Sequence, residues 1–271
     1  MPGLKPSVGK ARGSPGRDPP QLWQAERVTA LLGIASRLKL ARLIQIVPAG
    51  SARVPLLAPA GFAGGADIVL LDETQAEANP AAAASMTLVR AAAQETQGLT
   101  GYLGRPGREA GRGADVVCLS EDDHDPARAR ALLGRWTQIG RRCNTAAEID
   151  AALADPEVGF LLVGPGREHL LHAADVAPPS DPAATPWFAV GGITQASLDA
   201  VLRTGARRVA VGGAIIDASD PEAAARGFKE RLRAAWNADP AMEAVTMAAF
   251  APGPGLSFAP DPGPAATELR P

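Results

Sequence analysis

Trp187-Phe188-Ala189-Val190-Gly191-Gly192-Ile193-Thr194 and, one helix-length later, Val209-Ala210-Val211-Gly212-Gly213-Ala214-Ile215 decide the fold class. Each opens with a short apolar run, the pattern of a strand buried on both faces, and each run ends in a glycine pair. Between them Thr194 caps a helix whose Leu198, Val201 and Leu202 share one face and whose stop is Gly205. Strand, helix, strand in that order is the unit of a parallel sheet. Glycine just past a strand leaves backbone N–H groups open to an anion, and in α/β barrels the turns after strands seven and eight commonly hold a phosphate. The repeated step points to a phosphorylated small-molecule ligand on Gly191, Gly192, Gly212 and Gly213. Glycines that serve tight turns alone are the competing reading.

Outward from these two units the pattern continues. Candidate strands run over Arg42 to Val47, Asp67 to Leu71, Leu99 to Leu103, Asp115 to Leu119, Trp136 to Ile139, Val158 to Val163, Trp187 to Val190 and Arg208 to Val211. Caps place helices between them. Asn79-Pro80 opens an alanine-rich stretch that closes at Gly98, and Asp125-Pro126 opens one that ends near Gly134. Thr145 and Glu148 form a capping box, and Asp220-Pro221 starts a long helix reaching about Trp236. A helix from about Leu22 to Leu40 precedes the first strand and would lie across one end. Eight strand units predict an α/β protein, a (β/α)8 TIM barrel; an open doubly wound sheet is the alternative closure. The expected organisation is one barrel domain over residues 21–250. Disordered tails are expected over 1–20 and 251–271, where proline and glycine dominate.

Composition narrows the function. The net charge is -2, from 27 Lys and Arg against 29 Asp and Glu, which provides no field to collect nucleic acid or anionic lipid. Aromatic residues are 4% of the chain, too few for base-stacking platforms. Neither a nucleic-acid nor a membrane partner is expected. No segment is apolar enough to span a bilayer, and Met1 to Pro20 lacks the apolar run of a secretory signal, so a cytoplasmic protein is expected. Cys118 and Cys143 lack metal-ligand spacing and read as reduced core thiols.

The segment Pro186 to Ala235, with Phe188-Ala189-Val190-Gly191-Gly192-Ile193-Thr194, Gly205-Ala206 and Asp220-Pro221-Glu222, resembles the carboxy-terminal part of thiamine phosphate synthases and the related thiazole tautomerases. Gly113-Ala114-Asp115-Val116-Val117-Cys118-Leu119-Ser120-Glu121-Asp122-Asp123 is similar to that family's Ala-Asp-Gly-Val-His-Leu-Gly-Gln-x-Asp. Val163-Gly164-Pro165 is similar to its Gly-x-Gly-Pro. The likeness spans roughly Ala41 to Trp236. It implies a (β/α)8 barrel that joins a pyrimidine methyl diphosphate to a thiazole phosphate, with Mg2+ on the diphosphate. The thiazole phosphate would sit on the four glycines already singled out, with Gly164 and Pro165 nearby. Asp123 is the position that matches the family's metal ligand, and Glu73 matches its acidic residue after the second strand.

The diphosphate half departs from the family pattern. Asp72 and Thr74 stand where the family has Arg and Lys, Leu103 and Gly104 where it has Asn-Asp, and Arg142 where it has a phosphate-contacting Ser. Its Thr-x-Thr-Lys falls at His169, Leu170, Leu171 and His172. A departing diphosphate needs cations, so these changes weigh against the transferase reaction unless Arg105, Arg141, Arg142 or Arg167, all expected in loops at the strands' carboxy ends, replace the charge. The alternative is a diverged member that binds a phosphorylated thiazole-like ligand, either without catalysis or as a tautomerase-like isomerase. His124, His169 and His172 are expected in loops at the same face. Three readings stay open for them: acid–base catalysis by His169 and His172, a metal site with Asp122 or Asp123, or ordinary exposed histidines. Glu121, Asp122, Asp123 and Asp125 form either a Mg2+ site or a solvated turn.

Overall fold

The computed structural model describes residues 32–74, 79–108, 111–120 and 125–251. The expectations for 1–20 and 252–271, for the Leu22 to Leu31 part of the first helix, and for Glu121, Asp122, Asp123 and His124 fall outside those residues. Among the described residues no helix is long and apolar enough to cross a membrane.

Eight parallel strands close into a barrel in sequence order, β8 pairing with β1. They are β1 (Leu43–Pro48), β2 (Ile68–Asp72), β3 (Leu99–Leu103), β4 (Val116–Leu119), β5 (Gln138–Cys143), β6 (Val158–Val163), β7 (Trp187–Val190) and β8 (Val209–Val211). Around them run α1 (Ile34–Leu40), α2 (Val54–Ala63), α3 (Ala82–Thr96), α4 (Pro126–Leu133), α5 (Ala146–Ala154), α6 (Arg167–Val176), α7 (Leu198–Leu202), α8 (Gly213–Ile216), α9 (Pro221–Asn237) and α10 (Met242–Phe250).

The two-residue period of the strands sorts their side chains into two cores. Ile44, Ile68, Leu70, Leu99, Val116, Cys118, Phe160, Leu162, Phe188 and Ala210 fill the interior, joined by Leu38 of α1. The alternate residues, among them Leu43, Leu161, Trp187, Val209 and Val69, pack outward against the helices. The interior is filled by size complementarity. Phe160 and Phe188 meet edge to face with ring centroids 6.4 Å apart, and a side chain at Gly140 on β5 would overlap the Phe160 ring.

Three of the predicted caps form, at Asp125, Thr145 and Asp220, whereas α3 starts after Ala81 and α7 after Ser197 rather than at Asn79 and Thr194, neither with a side-chain cap. Asp125 accepts from the Ala127 N–H at 3.1 Å, and Gly134 ends that helix at φ 76°. Thr145 accepts from Glu148 N–H, while the Glu148 carboxylate reaches back to Asn144 N–H at 2.6 Å. Asp220 accepts from Ala223 N–H at 3.0 Å. At the end of α3 it is Gln97, not Gly98, that takes the left-handed conformation (φ 59°); Gly98 is there because a side chain would overlap the Phe62 ring.

Three expectations need correction. The fifth strand is Gln138–Cys143 rather than Trp136 to Ile139, so Arg141 and Arg142 lie in the strand and not in a loop, and Trp136 is exposed. The Gly-Arg-Arg sequence reads as a break, but Gly140 is the partner Phe160 requires. Second, α2 and α10 have no counterpart in the sequence reading. Pro55, Pro59 and Gly61 disguise α2, although Pro55 occupies its first turn, where a missing N–H costs nothing. Third, His169 and His172 lie on α6 and not in a loop; Gly166 precedes α6 without a side-chain cap, so its start leaves no polar signal.

Candidate anion-binding site at the barrel mouth

At the carboxy ends of the strands lies a cavity of about 430 Å3, lined by Ile46, Asp72, Leu103, Arg142, Leu162, Val190, Ala210 and the two glycine turns from Gly191 to Thr194 and Gly212 to Ala214. The strand ends explain this set. The inward row of β2 runs Ile68, Leu70, Asp72; that of β5 runs Gly140, Arg142. Each begins apolar or small in the packed interior and ends charged at the mouth, where water and ligand can reach it.

The turns present backbone. Among the described residues, the N–H groups of Gly192, Ile193, Gly213 and Ala214 have no hydrogen-bond acceptor. Gly192 has φ 60°, and a Cβ added there would meet nothing within 4 Å. Behind the first turn, Gly164 (φ 132°) packs so closely on the Val190 carbonyl that a side chain would overlap it, and a Cβ on Gly191 would meet the Pro165 Cβ at 2.8 Å. Gly164 and Pro165 thus buttress the β7 turn and do not line the cavity.

Arg142 adds fixed positive charge. Its Nε is buried and has no hydrogen-bond partner among the described residues. An unsatisfied buried donor of this kind costs about 1–3 kcal/mol. Asp72 borders the same cavity from β2. Its Oδ1 accepts from Thr74 N–H at 3.0 Å and Thr74 Oγ1–H at 2.8 Å. Below the mouth, Cys118 is held protonated, its thiol pushed well up by burial, which leaves it no thiolate for nucleophilic chemistry.

The remaining sequence-selected residues lie elsewhere. Glu73, 4% exposed, has both oxygens engaged: Oε1 accepts from Asn79 N–H at 2.8 Å and Oε2 from Tyr102 O–H at 2.8 Å, with Arg108 3.3 Å from Oε1. Arg167 is the first residue of α6 and borders a second cavity of about 230 Å3 that shares Val190, Gly191, Gly192 and Ile193 with the first. His169 donates from Nδ1 to the Pro165 carbonyl at 2.7 Å, and His172 donates from Nε2 to Asp150 on α5 at 2.7 Å. Neither histidine lines the mouth cavity. The structure therefore brings Gly191, Gly192, Gly212, Gly213 and Arg142 together, and adds Asp72 and Thr194. Asp72 was visible in the sequence only as a departure from the family's arginine.

A family model described as thiamine monophosphate synthase matches residues 45–215. The chain belongs to this family. It is 37% identical over 219 residues to the thiamine-phosphate synthase of Thermobifida fusca, covering 74% of this chain and 97% of that protein. A second thiamine-phosphate synthase, from Saccharopolyspora erythraea, is 31% identical over 219 residues, covering 74% of this chain and 96% of the other. Among solved structures, the thiamine phosphate pyrophosphorylase of Pyrococcus furiosus superposes with a TM-score of 0.61 at 20% identity, over 73% of this chain and 98% of that one. Orotidine 5'-phosphate decarboxylase from Pyrococcus horikoshii shares the fold with a TM-score of 0.52 at 16% identity, over 70% and 99% of the two chains. The thiamine monophosphate synthase match runs from β1 to α8 and so takes in the whole mouth.

For Mg2+ the donor set is poor. Among the described residues Asp72 is the single acidic one lining the cavity, one of its oxygens is spent on Thr74, and a guanidinium shares the site; Asp122 and Asp123 lie outside the described residues. Among the described residues no group of three or more His, Cys, Asp or Glu could hold a metal. Hard divalent cations want carboxylate or phosphate oxygens with room for water, and these residues do not supply them.

Proposed function

We propose that this member of the thiamine monophosphate synthase family binds the phosphate of a thiazole-like ligand in the turns after β7 and β8, with Arg142 beside it, and lacks the transferase reaction. One observation carries the reading: four backbone N–H groups without acceptors and the Arg142 side chain border one cavity. A phosphate offers acceptors to all of them, in a site preorganised by strand ends.

The family's transferase reaction is the second reading, favoured by relatives named thiamine-phosphate synthases. Charge weighs against it. A diphosphate leaving as an anion needs cations at the β2 side, and Asp72 puts a carboxylate there. The donor set also fits Mg2+ poorly, so no step is routed through a metal. A tautomerase-like proton transfer would need an acid or base at the mouth, and His169 and His172 are engaged on α6. The buried free thiols of Cys118 and Cys143 support a reducing compartment, the cytoplasm. The ligand is a small molecule, with no nucleic-acid or membrane partner.

The deciding experiment supplies pyrimidine methyl diphosphate, thiazole phosphate and Mg2+ and looks for thiamine phosphate, beside thermal unfolding with thiazole phosphate alone. No product, with a melting temperature raised in the wild type and unmoved in Gly192→Asp, is the expected result. At position 192 there is space for the added carboxylate, and Asp tolerates a left-handed backbone. Product formation would establish the transferase instead, and no thermal shift would remove the phosphate site.

A further inference from the structure

Resting on that phosphate site, we propose that Asp72 makes the cavity selective for a zwitterionic organic phosphate, one whose end opposite the phosphate carries a positively charged ring nitrogen or amine. Asp72 closes the inward row Ile68, Leu70, Asp72 of β2, so among the described residues it is the one charge on that wall of the mouth. Asp72 is half-buried at the edge of an apolar interior, where its charge is screened less than in bulk water and attracts a cation more strongly. Thr74 satisfies Oδ1 through its N–H and Oγ1–H; Oδ2 has no partner among the described residues.

Arg142 is not the missing partner. No ion pair joins it to Asp72 among the described residues, and it stands on β5, three strands from β2 and three from β8 in the closed order. The mouth therefore has three separate stations: the glycine turns, Arg142 and Asp72. With the anion drawn to the first two, the third repels a second anion and attracts a cation. The wall between them, Ile46, Leu103, Leu162 and Val190, is apolar and suits the face of a ring. The volume, about 430 Å3, holds one ring plus a phosphate and lies within the usual range for small-molecule sites.

The test compares three probes by calorimetry: inorganic phosphate, thiazole phosphate, and its N-methyl thiazolium counterpart, which adds one methyl group and one positive charge. The wild type is expected to bind the thiazolium about tenfold more tightly than the neutral thiazole, the discrimination of one hydrogen-bonded or charge-paired contact. In Asp72→Asn, which keeps the Oδ1 acceptor for Thr74, that ratio should fall toward one while thiazole phosphate and inorganic phosphate bind somewhat more tightly, the repelling carboxylate being gone. In the wild type the ratio should also shrink with added KCl, a readout that needs no variant. Equal affinities in the wild type, a ratio insensitive to salt, or a ratio preserved in a folded Asp72→Asn would overturn the proposal and leave the phosphate site standing. Failure of all three probes to bind would remove the phosphate site and this inference with it.

Discussion

Tyr102 is the single tyrosine of the chain, and it reports on the loop that follows β2. Its hydroxyl donates to Glu73 at 2.8 Å, and its pKa is raised above the ordinary 10.0, first by burial and then by the hydrogen bond and charge of Glu73. Absorbance titration of the folded protein should show no phenolate in the range around pH 10 where the urea-denatured chain titrates normally. Glu73→Gln removes one ion-pair partner of Arg108 and the carboxylate facing Tyr102, and should cost about 2 kcal/mol in urea unfolding. The same variant should bring the Tyr102 titration part of the way back. A phenol that ionised at its ordinary pKa in the wild type would contradict the buried network. Glu73 looked like a ligand contact in the sequence because it matches the family's acidic position; in the fold its oxygens secure Asn79 and Tyr102.

Among the elements, the caps carry stability that can be measured apart from the site. Asp220→Ala removes the acceptor for Ala223 N–H at the start of α9 and should lower unfolding free energy by about 1 kcal/mol. Affinity for phosphate should not change, since α9 lies on the outer layer. Elements with such local chemistry were legible in the sequence: α4, α5 and α9 begin where Asp125, Thr145 and Asp220 said they would. The fifth strand was not, because Gly140 answers to Phe160, a residue twenty positions away. α6 was not, because its first turn has no polar cap. The site divides the same way. The glycine turns announce themselves, since a backbone anion site needs glycine in the sequence. The inward aim of Arg142 depends on the β5 register, which shifts against β6 between Ile139 and Gly140; one residue of slip would turn Arg141 inward in its place.

For the molecule as a whole, closure is complete without the last helix, yet the last helix has a task. Trp236 at the end of α9 is buried under Met242 and Val245 of α10, and its indole N–H donates to Thr246 Oγ1 at 3.2 Å. Arg42 and Arg208 stack on that ring with their guanidinium carbons 4.5 and 5.1 Å from its centroid. Burial pushes Arg208 down to about 10, so it keeps its charge at neutral pH, and the ring face is part of what that buried cation rests on. Ending the chain after Asn237 should cost about 3 kcal/mol or more, read as an earlier thermal transition and a red-shifted tryptophan emission. A truncated chain that melted like the full one would show that α10 packs without stabilising the barrel.

The glycine turns at the mouth have a consequence for descent. A grip made of main-chain N–H groups has no side chain to lose, so drift at neighbouring positions leaves it in place while rewriting what surrounds it. On the proposed reading, with Arg142 and Asp72 at positions where the resemblance implies a serine and an arginine, a lineage could exchange the chemistry at the far side of the mouth in a few steps and keep its hold on phosphate throughout. In such a barrel the handle is inherited with the backbone, and the vocation is free to change.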